Sequence, residues 1–378
     1  MAKKETADKL PKGISKRQNG LYMGRVMYHG KSHTLYNRSL SQLKKDMTTL
    51  RYELEHGMYA EKSKLTFDDW FKTWIETYKA LSVKQGTIDT YKNNYNSYIR
   101  SELGKVKLDD LRSEHIQIFF NGLAKRGLSD KTISLIFTLM GGMLKQACKN
   151  GLIIKNPIDA VTKPKGKAGK GREALTVEQQ KLFLEAAKES YLYNLLVVAI
   201  CTGLRRGELG GLQWRDIDFK NKVIHVRHNL VFRMGGGWEI DTPKTKCSLR
   251  DVPIIDKAYD ALKAQEKLYR ELMGNITQIE NDDFVFFAGI NEPVNGHRMK
   301  KELDKITEAI AAAGDDFPVI TMHWLRHTFA TRCVEAGMSL QVLKTIMGHS
   351  SLSMTADLYS HVLPDTKKEA MQSVAGAF

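Results

Sequence analysis

Residues 323–361 open on His323-Trp324-Leu325-Arg326-His327-Thr328, run on in a helical pattern to Gly348-His349-Ser350-Ser351, and close on Asp357-Leu358-Tyr359-Ser360-His361, with Tyr359 ten residues after His349. Two further signals lie upstream. Thr202-Gly203-Leu204-Arg205-Arg206-Gly207-Glu208-Leu209 is a glycine-bounded turn into a helix that presents guanidinium groups next to a carboxylate, and Pro243-Lys244-Thr245-Lys246 falls at a strand end or hairpin tip. Singly, each has a plain structural reading: Arg205 and Glu208 as an i,i+3 surface pair, Lys244 as a hairpin solubiliser, Tyr359 as a half-buried core residue. His323 and His327 stand at i,i+4, a spacing that binds zinc on a helix. The HExxH pattern, however, wants Glu where Trp324 stands, so no metal is expected.

Around these signals, residues 173–378 read as mixed α and β. Helices are expected around Thr176–Ser190 and Tyr193–Thr202, strands over Lys222–Phe232, Trp238–Thr242 and Arg250–Ile254 with Gly235-Gly236-Gly237 as a turn, and helix again to the end. Residues 162–172, TKPKGKAGKGR, hold no apolar residue larger than Ala and read as a basic linker that cannot bury a core. Its five cations, Lys163, Lys165, Lys167, Lys170 and Arg172, suit a strap laid along phosphates. Residues 65–161 are helical throughout, with helices opening at Thr66, Ser82, Ser113 and Ser129, and a four-helix bundle is the economical reading. The stripe Trp70, Phe71, Trp74 and Tyr78 reads as core rather than as a base-stacking platform. Residues 1–64 alternate apolar and polar positions around a His29-Gly30 turn, then place Leu40, Leu43, Met47, Leu50 and Leu54 on one helix face behind the N-cap Ser39. Three strands and a helix make a small module whose sheet carries Lys16, Arg17, Arg25, Lys31 and His33 beside Tyr22, Tyr28 and Tyr36. Such residues decorate many solvated sheets; with this local charge, a DNA-reading sheet is the expectation.

The chain has 378 residues, enough for two or three domains, and its 42% hydrophobic and 27% charged residues exclude wholesale disorder. Cys148, Cys201, Cys247 and Cys333 lie far apart without a CxxC pair, which argues against a disulfide framework or a zinc ribbon. No apolar run approaches the roughly 20 residues that cross a bilayer, and the start lacks a signal-peptide core, so a soluble, intracellular protein without a membrane partner is expected. The net charge of +15 is uneven. Residues 1–64 carry +8, 65–161 +4, 162–172 +5 and 173–378 −2. A basic front joined to a neutral rear suggests a nucleic-acid-binding part attached to a working part.

The residue types in the rear suit one reaction. Phosphodiester transfer to a protein nucleophile needs a hydroxyl, cations for the charge on the non-bridging oxygens, and a proton donor for the leaving alcohol. Arginine binds two phosphate oxygens and stays charged, histidine donates to phosphate or handles protons, and lysine protonates a departing hydroxyl. A tyrosine phenol, with pKa near 10, leaves phosphorus more easily than an alkyl alcohol, so the bond is reversible without ATP.

The ordered set TGLRRGEL, PKT, HWLRHTFAT, MGHSS and DLYSH resembles the tyrosine recombinase family, most of all the integrases of Gram-positive conjugative transposons and temperate phages. The likeness spans essentially the whole chain, including NPIDAV at the end of the bundle. It implies that Arg205 and Arg326 bind the scissile phosphate, assisted by His323 and His349. Lys244 would protonate the 5′ oxygen, Tyr359 would attack phosphorus, and Glu208 would support the site. Arg205 is preferred over Arg206, and Lys244 over Lys246, only by their place in the family pattern. The implied architecture is multidomain and mainly α with small β-sheets: an arm-type DNA-binding domain at 1–64, a helical core-binding domain at 65–161, the linker at 162–172, and a mixed α+β catalytic domain with a C-terminal tail at 173–378. The implied function is site-specific excision and integration of a mobile element through a 3′-phosphotyrosyl intermediate and a Holliday junction. Core-type and arm-type duplex sites, a homo-tetramer on DNA, and an excisionase or host DNA-bending protein would be its partners. No cofactor is implied, and the setting would be bacterial cytoplasm, at the nucleoid when DNA is bound. Pro364–Phe378 offers an apolar helix face for docking on a neighbour or on its own domain. Two alternatives stand beside this reading, a type IB topoisomerase and a DNA-binding regulator without catalysis.

Overall fold

The computed structural model describes residues 10–56, 64–168, 174–232, 237–241, 248–274, 282–289 and 292–352. The chain divides into two compact units, Met1–Gly169 and Lys170–Phe378.

In the first unit, β1 (Ile14–Lys16), β2 (Tyr22–Tyr28) and β3 (Lys31–Asn37) form an antiparallel sheet in that order. His29 and Gly30, both at positive φ, close the β2–β3 hairpin as the two-residue turn demands. Helix α1 (Leu40–Glu55), capped by Ser39, lays Leu43, Met47, Leu50 and Leu54 over Val26, Ile14, Tyr22, Tyr28 and Leu35. Gly24 makes this packing close, since a Cβ there would lie 2.3 Å from the Met47 sulfur. Strand alternation then sorts the basic residues by face. Arg25, paired with Thr34, shares the open face with Met23, Met27 and Tyr36. Lys16, paired with Tyr22, and Lys31, paired with Tyr28, have the parity of the helix-covered face, as does His33 opposite Val26.

The bundle begins with α2 (Phe67–Thr73), started by a Thr66–Asp69 capping box and continued by a π-helical turn over Trp74–Lys79. Next come α3 (Gln85–Asn94), a second π-helical turn at Tyr95–Ile99, α4 (Arg100–Leu103), α5 (Ser113–Lys125) and α6 (Asp130–Lys149). The second helix therefore starts three residues later than Ser82 suggests. Trp70, Phe71 and Trp74 are buried, with Tyr78 packed against them, so the aromatic stripe is core. Phe71 stacks on Tyr95 with centroids 3.7 Å apart, and the Trp70 indole N–H donates to the Met143 carbonyl at 3.0 Å. The linker is held along its first half. Lys163 Nζ donates to Asp130 at 3.2 Å and to Ser134 Oγ at 2.6 Å, the Gly166 N–H donates to Asp130, and Lys167 exchanges backbone hydrogen bonds with Leu128 and Asp130.

The second unit opens with α7 (Val177–Ala186), α8 (Tyr193–Thr202) and α9 (Arg206–Gly210). Leu195 through Thr202 of α8 are all buried, the pattern of a central helix without a solvent face. The expected strand at 222–232 divides in two within a run of short strands: β4 (Ile217–Asp218), β5 (Val223–Val226), β6 (Asn229–Phe232), β7 (Trp238–Asp241) and β8 (Arg250–Pro253). These make an antiparallel β4-β5-β8 sheet and a β6–β7 hairpin. After α10 (Asp256–Leu272) the chain is not purely helical, as the pattern suggests, because β9 (Phe287–Gly289) and β10 (Glu292–Pro293) pair before α11 (Gly296–Ala312). Such short strands leave too little alternation to read. Helices α12 (Met322–Glu335) and α13 (Leu340–Met347) complete the described part of the unit. No helix among the described residues is long and apolar enough to cross a membrane.

Candidate active site

Helix α8 stops at Gly203, whose φ of 63° is left-handed and whose absent Cβ would meet the Phe329 ring at 2.4 Å. The chain is thereby turned so that Arg205 becomes the N-cap of α9. Glu208 occupies the third position of that helix and accepts the Arg205 backbone N–H at 2.8 Å and Arg205 Nη1 at 2.7 Å. At 5% exposure Glu208 is no surface partner; the i,i+3 spacing is a buried capping arrangement. Arg206 points elsewhere, its guanidinium lying against Gly296 at the start of α11.

The C-terminal end of α13 gathers three arginines. A helix ends with carbonyls that lack intrahelical donors and with the negative end of its dipole. Here the Ile346 carbonyl accepts from Arg250 Nε at 2.5 Å, the Met347 carbonyl from Arg326 Nη2 at 2.5 Å, and the Gly348 carbonyl from Arg205 Nη2 at 2.6 Å. Arg326 also donates through Nη1 to the Gly203 carbonyl at 2.5 Å and lies 3.0 Å from His349 Nε2. Since a guanidinium can only donate, Nε2 of His349 accepts and its proton sits on Nδ1.

Three guanidiniums, of which Arg205 is partly exposed, and one carboxylate leave this largely buried cluster with an excess of positive charge, and the titration of its members follows. Burial works against the Glu208 carboxylate, but hydrogen bonds and charge from Arg250 and Arg205 outweigh it and hold the group at about 2. Burial, then the Arg205 and Arg250 charges, pull Arg326 down to about 9. Burial followed by the charges of Arg326, Arg205 and Arg250 pushes His349 down to about 4, so its imidazole is neutral near pH 7. His323, exposed and one turn before Arg326 on α12, is near enough to add to that push. Its ring meets His327 edge-on at 5.1 Å. Among the described residues no cluster of His, Cys, Asp and Glu is arranged to hold a metal ion. A cluster that desolvates cations and leaves them in excess is suited to an anion that offers two oxygens to a guanidinium fork, such as a phosphodiester.

The structure thus brings Arg205, Glu208, Arg326 and His349 into one hydrogen-bonded cluster with His323 beside it. Lys244 and Tyr359 lie outside the described residues, as do Lys170 and Arg172. Lys165 and Lys167 are exposed, whereas the Lys163 ammonium is engaged by Asp130. On the sheet, Arg17 Nη2 donates to Tyr36 Oη at 3.2 Å on the open face. Arg250 is a member that the motifs did not reveal. It binds Glu208 through both terminal nitrogens at 2.9 Å and is 6% exposed. Its signal was available in β8, where alternation places Arg250 on the inward face with Val252.

The chain as a whole is similar to known proteins. The model of the phage integrase family matches residues 173–365, and that of the phage integrase N-terminal SAM-like domain matches residues 66–124. A XerC-like tyrosine recombinase of Caldanaerobacter subterraneus is 30% identical, with 86% of each chain covered. The transposase of transposon Tn916 from Enterococcus faecalis is 27% identical over 96% of this chain and 94% of its own. Among solved structures, the Tn1549 transposon integrase in complex with a circular intermediate DNA superposes with a TM-score of 0.71 at 26% identity, covering 82% of this chain and all of that one.

Proposed function

The chain belongs to the phage integrase family, and from that premise we propose that its buried arginine cluster is a scissile-phosphate site served by Tyr359. It is a tyrosine recombinase, an enzyme that breaks and rejoins DNA in the site-specific recombination of a mobile element. Arg205 and Arg326 hold the non-bridging oxygens, and His349 offers them its Nδ1–H. The phenolic oxygen of Tyr359 attacks phosphorus, the bond from phosphorus to the 5′ oxygen breaks, and a 3′-phosphotyrosyl link forms. The phenol's proton passes to the exposed His323, a side-chain type that accepts one near neutral pH. Lys244 gives a proton to the departing 5′ oxygen. A 5′ hydroxyl from a second strand reverses these steps, with the phenolate as leaving group. The single observation that carries this reading is the cluster itself, in which three arginines meet at the end of one helix and two of them, Arg205 and Arg250, share one carboxylate.

Exchanging both strands of two duplexes takes four cleavages with one nucleophile per chain, which argues for four protomers around a Holliday junction. The bundle and the catalytic part bind core-type DNA. The small N-terminal module binds separate arm-type sites, as its +8 charge and the open-face Arg17 and Arg25 suggest. An excisionase or a host DNA-bending protein completes the complex that sets direction. A nicked suicide duplex that traps the covalent adduct tests the central step. The wild type should accumulate adduct, while Tyr359→Phe should bind the same DNA and form none, because only the nucleophilic oxygen is removed. Cleavage by that variant would place the nucleophile elsewhere.

A further inference from the structure

Glu208 reaches Arg205 from one side and Arg250 from the other. Its Oε1 accepts from Nη1 of both arginines, and its Oε2 accepts from Arg250 Nη2 and the Arg205 backbone N–H. Arg250 also donates through Nε to the Ile346 carbonyl and through Nη1 to the Ser248 carbonyl at 3.2 Å. One guanidinium thus ties together the carboxylate that orients Arg205, the helix end on which Arg205 and Arg326 rest, and the approach to β8 at Ser248, four residues after Lys244 in sequence.

We infer that Arg250 is a positioning residue of the recombination reaction, fixing the rotamer of Arg205 through Glu208 and the height of the α13 terminus through Ile346. The inference rests on the recombinase reading. Arg250 itself is assigned no contact with the reacting phosphate, since its donors are committed to Glu208, Ile346 and Ser248. If Arg250 were lost, Glu208 would lose both of its bonds to that guanidinium and keep those to Arg205, and a carboxylate free to turn would carry the Arg205 fork with it. A small displacement of a group that binds the transition state costs far more in rate than in affinity. Lysine cannot replace the function, because an ammonium is a single point of charge without the two-pronged geometry that spans both carboxylate oxygens.

The test is a double-mutant cycle on full-length protein, read as the rate of adduct formation on the nicked duplex, with DNA affinity and thermal unfolding measured alongside. Arg250→Lys should slow adduct formation on the order of tenfold or more while leaving DNA affinity near the wild-type value. In an Arg205→Lys background, where the fork being positioned is already gone, Arg250→Lys should cost much less, because the two act as one unit. The acid limb of its pH–rate profile should move upward, since Glu208 loses its strongest partner. Wild-type rate in Arg250→Lys, or losses that simply multiply in the double variant, would overturn the inference. Should Arg250→Lys fail to fold, Glu208→Gln takes its place in the cycle, and multiplying losses there would overturn it equally. Wild-type protein that forms no adduct at all would mark failure of the recombinase reading, a result distinct from any of these.

Discussion

Arginine does two different jobs in this molecule. In the second unit Arg326 and Arg250 are 3% and 6% exposed, and each is held by backbone carbonyls or the Glu208 carboxylate. On the N-terminal sheet Arg17 lies across the Tyr36 ring with its guanidinium carbon 5.0 Å from the centroid, and Arg25 stands exposed on the open face. A buried cation cannot be left without acceptors, so its direction is fixed before any ligand arrives. An exposed cation is hydrated and held by few neighbours, and contributes when it displaces the counterions condensed on a polyanion such as DNA. The first arrangement should set rates and be little affected by salt. The second should set affinity and lose it steeply as salt rises.

The largest effect expected concerns Lys244, whose class the comparison leaves open. If it acts on rate, Lys244→Ala should slow cleavage by roughly 10²- to 10⁴-fold, the span of general acid catalysis. A substrate with a bridging 5′ sulfur, whose thiolate leaves without a proton, should recover much of that rate. A variant that instead loses affinity in a salt-dependent way would put Lys244 with the exposed cations, and rescue of Lys246→Ala rather than Lys244→Ala would name the wrong lysine. Next come Arg205→Ala and Arg326→Ala, each expected to cost roughly 10²- to 10³-fold in adduct formation, the scale for one lost transition-state donor. The slope of binding against salt should barely change. Full cleavage activity in either variant would break the proposed clamp.

What could be read from the sequence divides along the same line. His323, Arg326, His349 and the Arg205–Glu208 pair announced themselves because each stands in a short local pattern. The role of Arg250 did not, since its meaning depends on a carboxylate 42 residues away and on a helix end 96 residues away. The hairpin at His29-Gly30 and the α1 face were legible from alternation and spacing. The set Lys16, Arg17, Arg25 and Lys31 nevertheless mixes two faces of one sheet, because local charge carries no information about strand parity. The linker shows the same limit: composition identifies a segment with no core of its own, but not that Asp130 holds it through Lys163 and Gly166.

The exposed side of the comparison is tested by dividing the chain. A protein starting near Lys64 should still bind and cleave core-site DNA, while losing flanking-site binding and efficient recombination of the complete element. Gel shifts on the two DNAs, with circular dichroism as a folding control, separate this from a module that merely stabilises the bundle, which would weaken both. Within the intact chain, Arg17→Ala and Arg25→Ala should each reduce the salt slope of flanking-site binding by about one. An unchanged slope would remove these residues from the DNA-reading face.

The smallest expected effect is on stability against acid, and it should touch only the buried side. His349 has an ordinary pKa of 6.5 and about 4 in the fold, so between those values the unfolded chain binds more protons than the folded one. Stability therefore rises with pH across that window and falls as the solution is acidified from 6.5 toward 4. Glu208, at about 2 in the fold against 4.5 ordinarily, contributes stability that is present above 4.5 and is lost as pH falls toward 2, so the two groups act in the same direction in adjoining ranges. Hydrogen exchange at the backbone amides of α13 and α9 should accelerate, after correction for intrinsic rates, as pH drops through the first window. The β2 and β3 amides should show no such step from this cause. Replacing His349 with Gln, which cannot titrate, should flatten the α13 dependence above pH 4 and leave the Glu208 part below it. A His349→Gln protein with the wild-type pH dependence would mean that burial and the arginines around it do not hold the imidazole neutral, and the picture of a dry, positively charged cluster, on which the distinction between the two kinds of arginine depends, would lose its support.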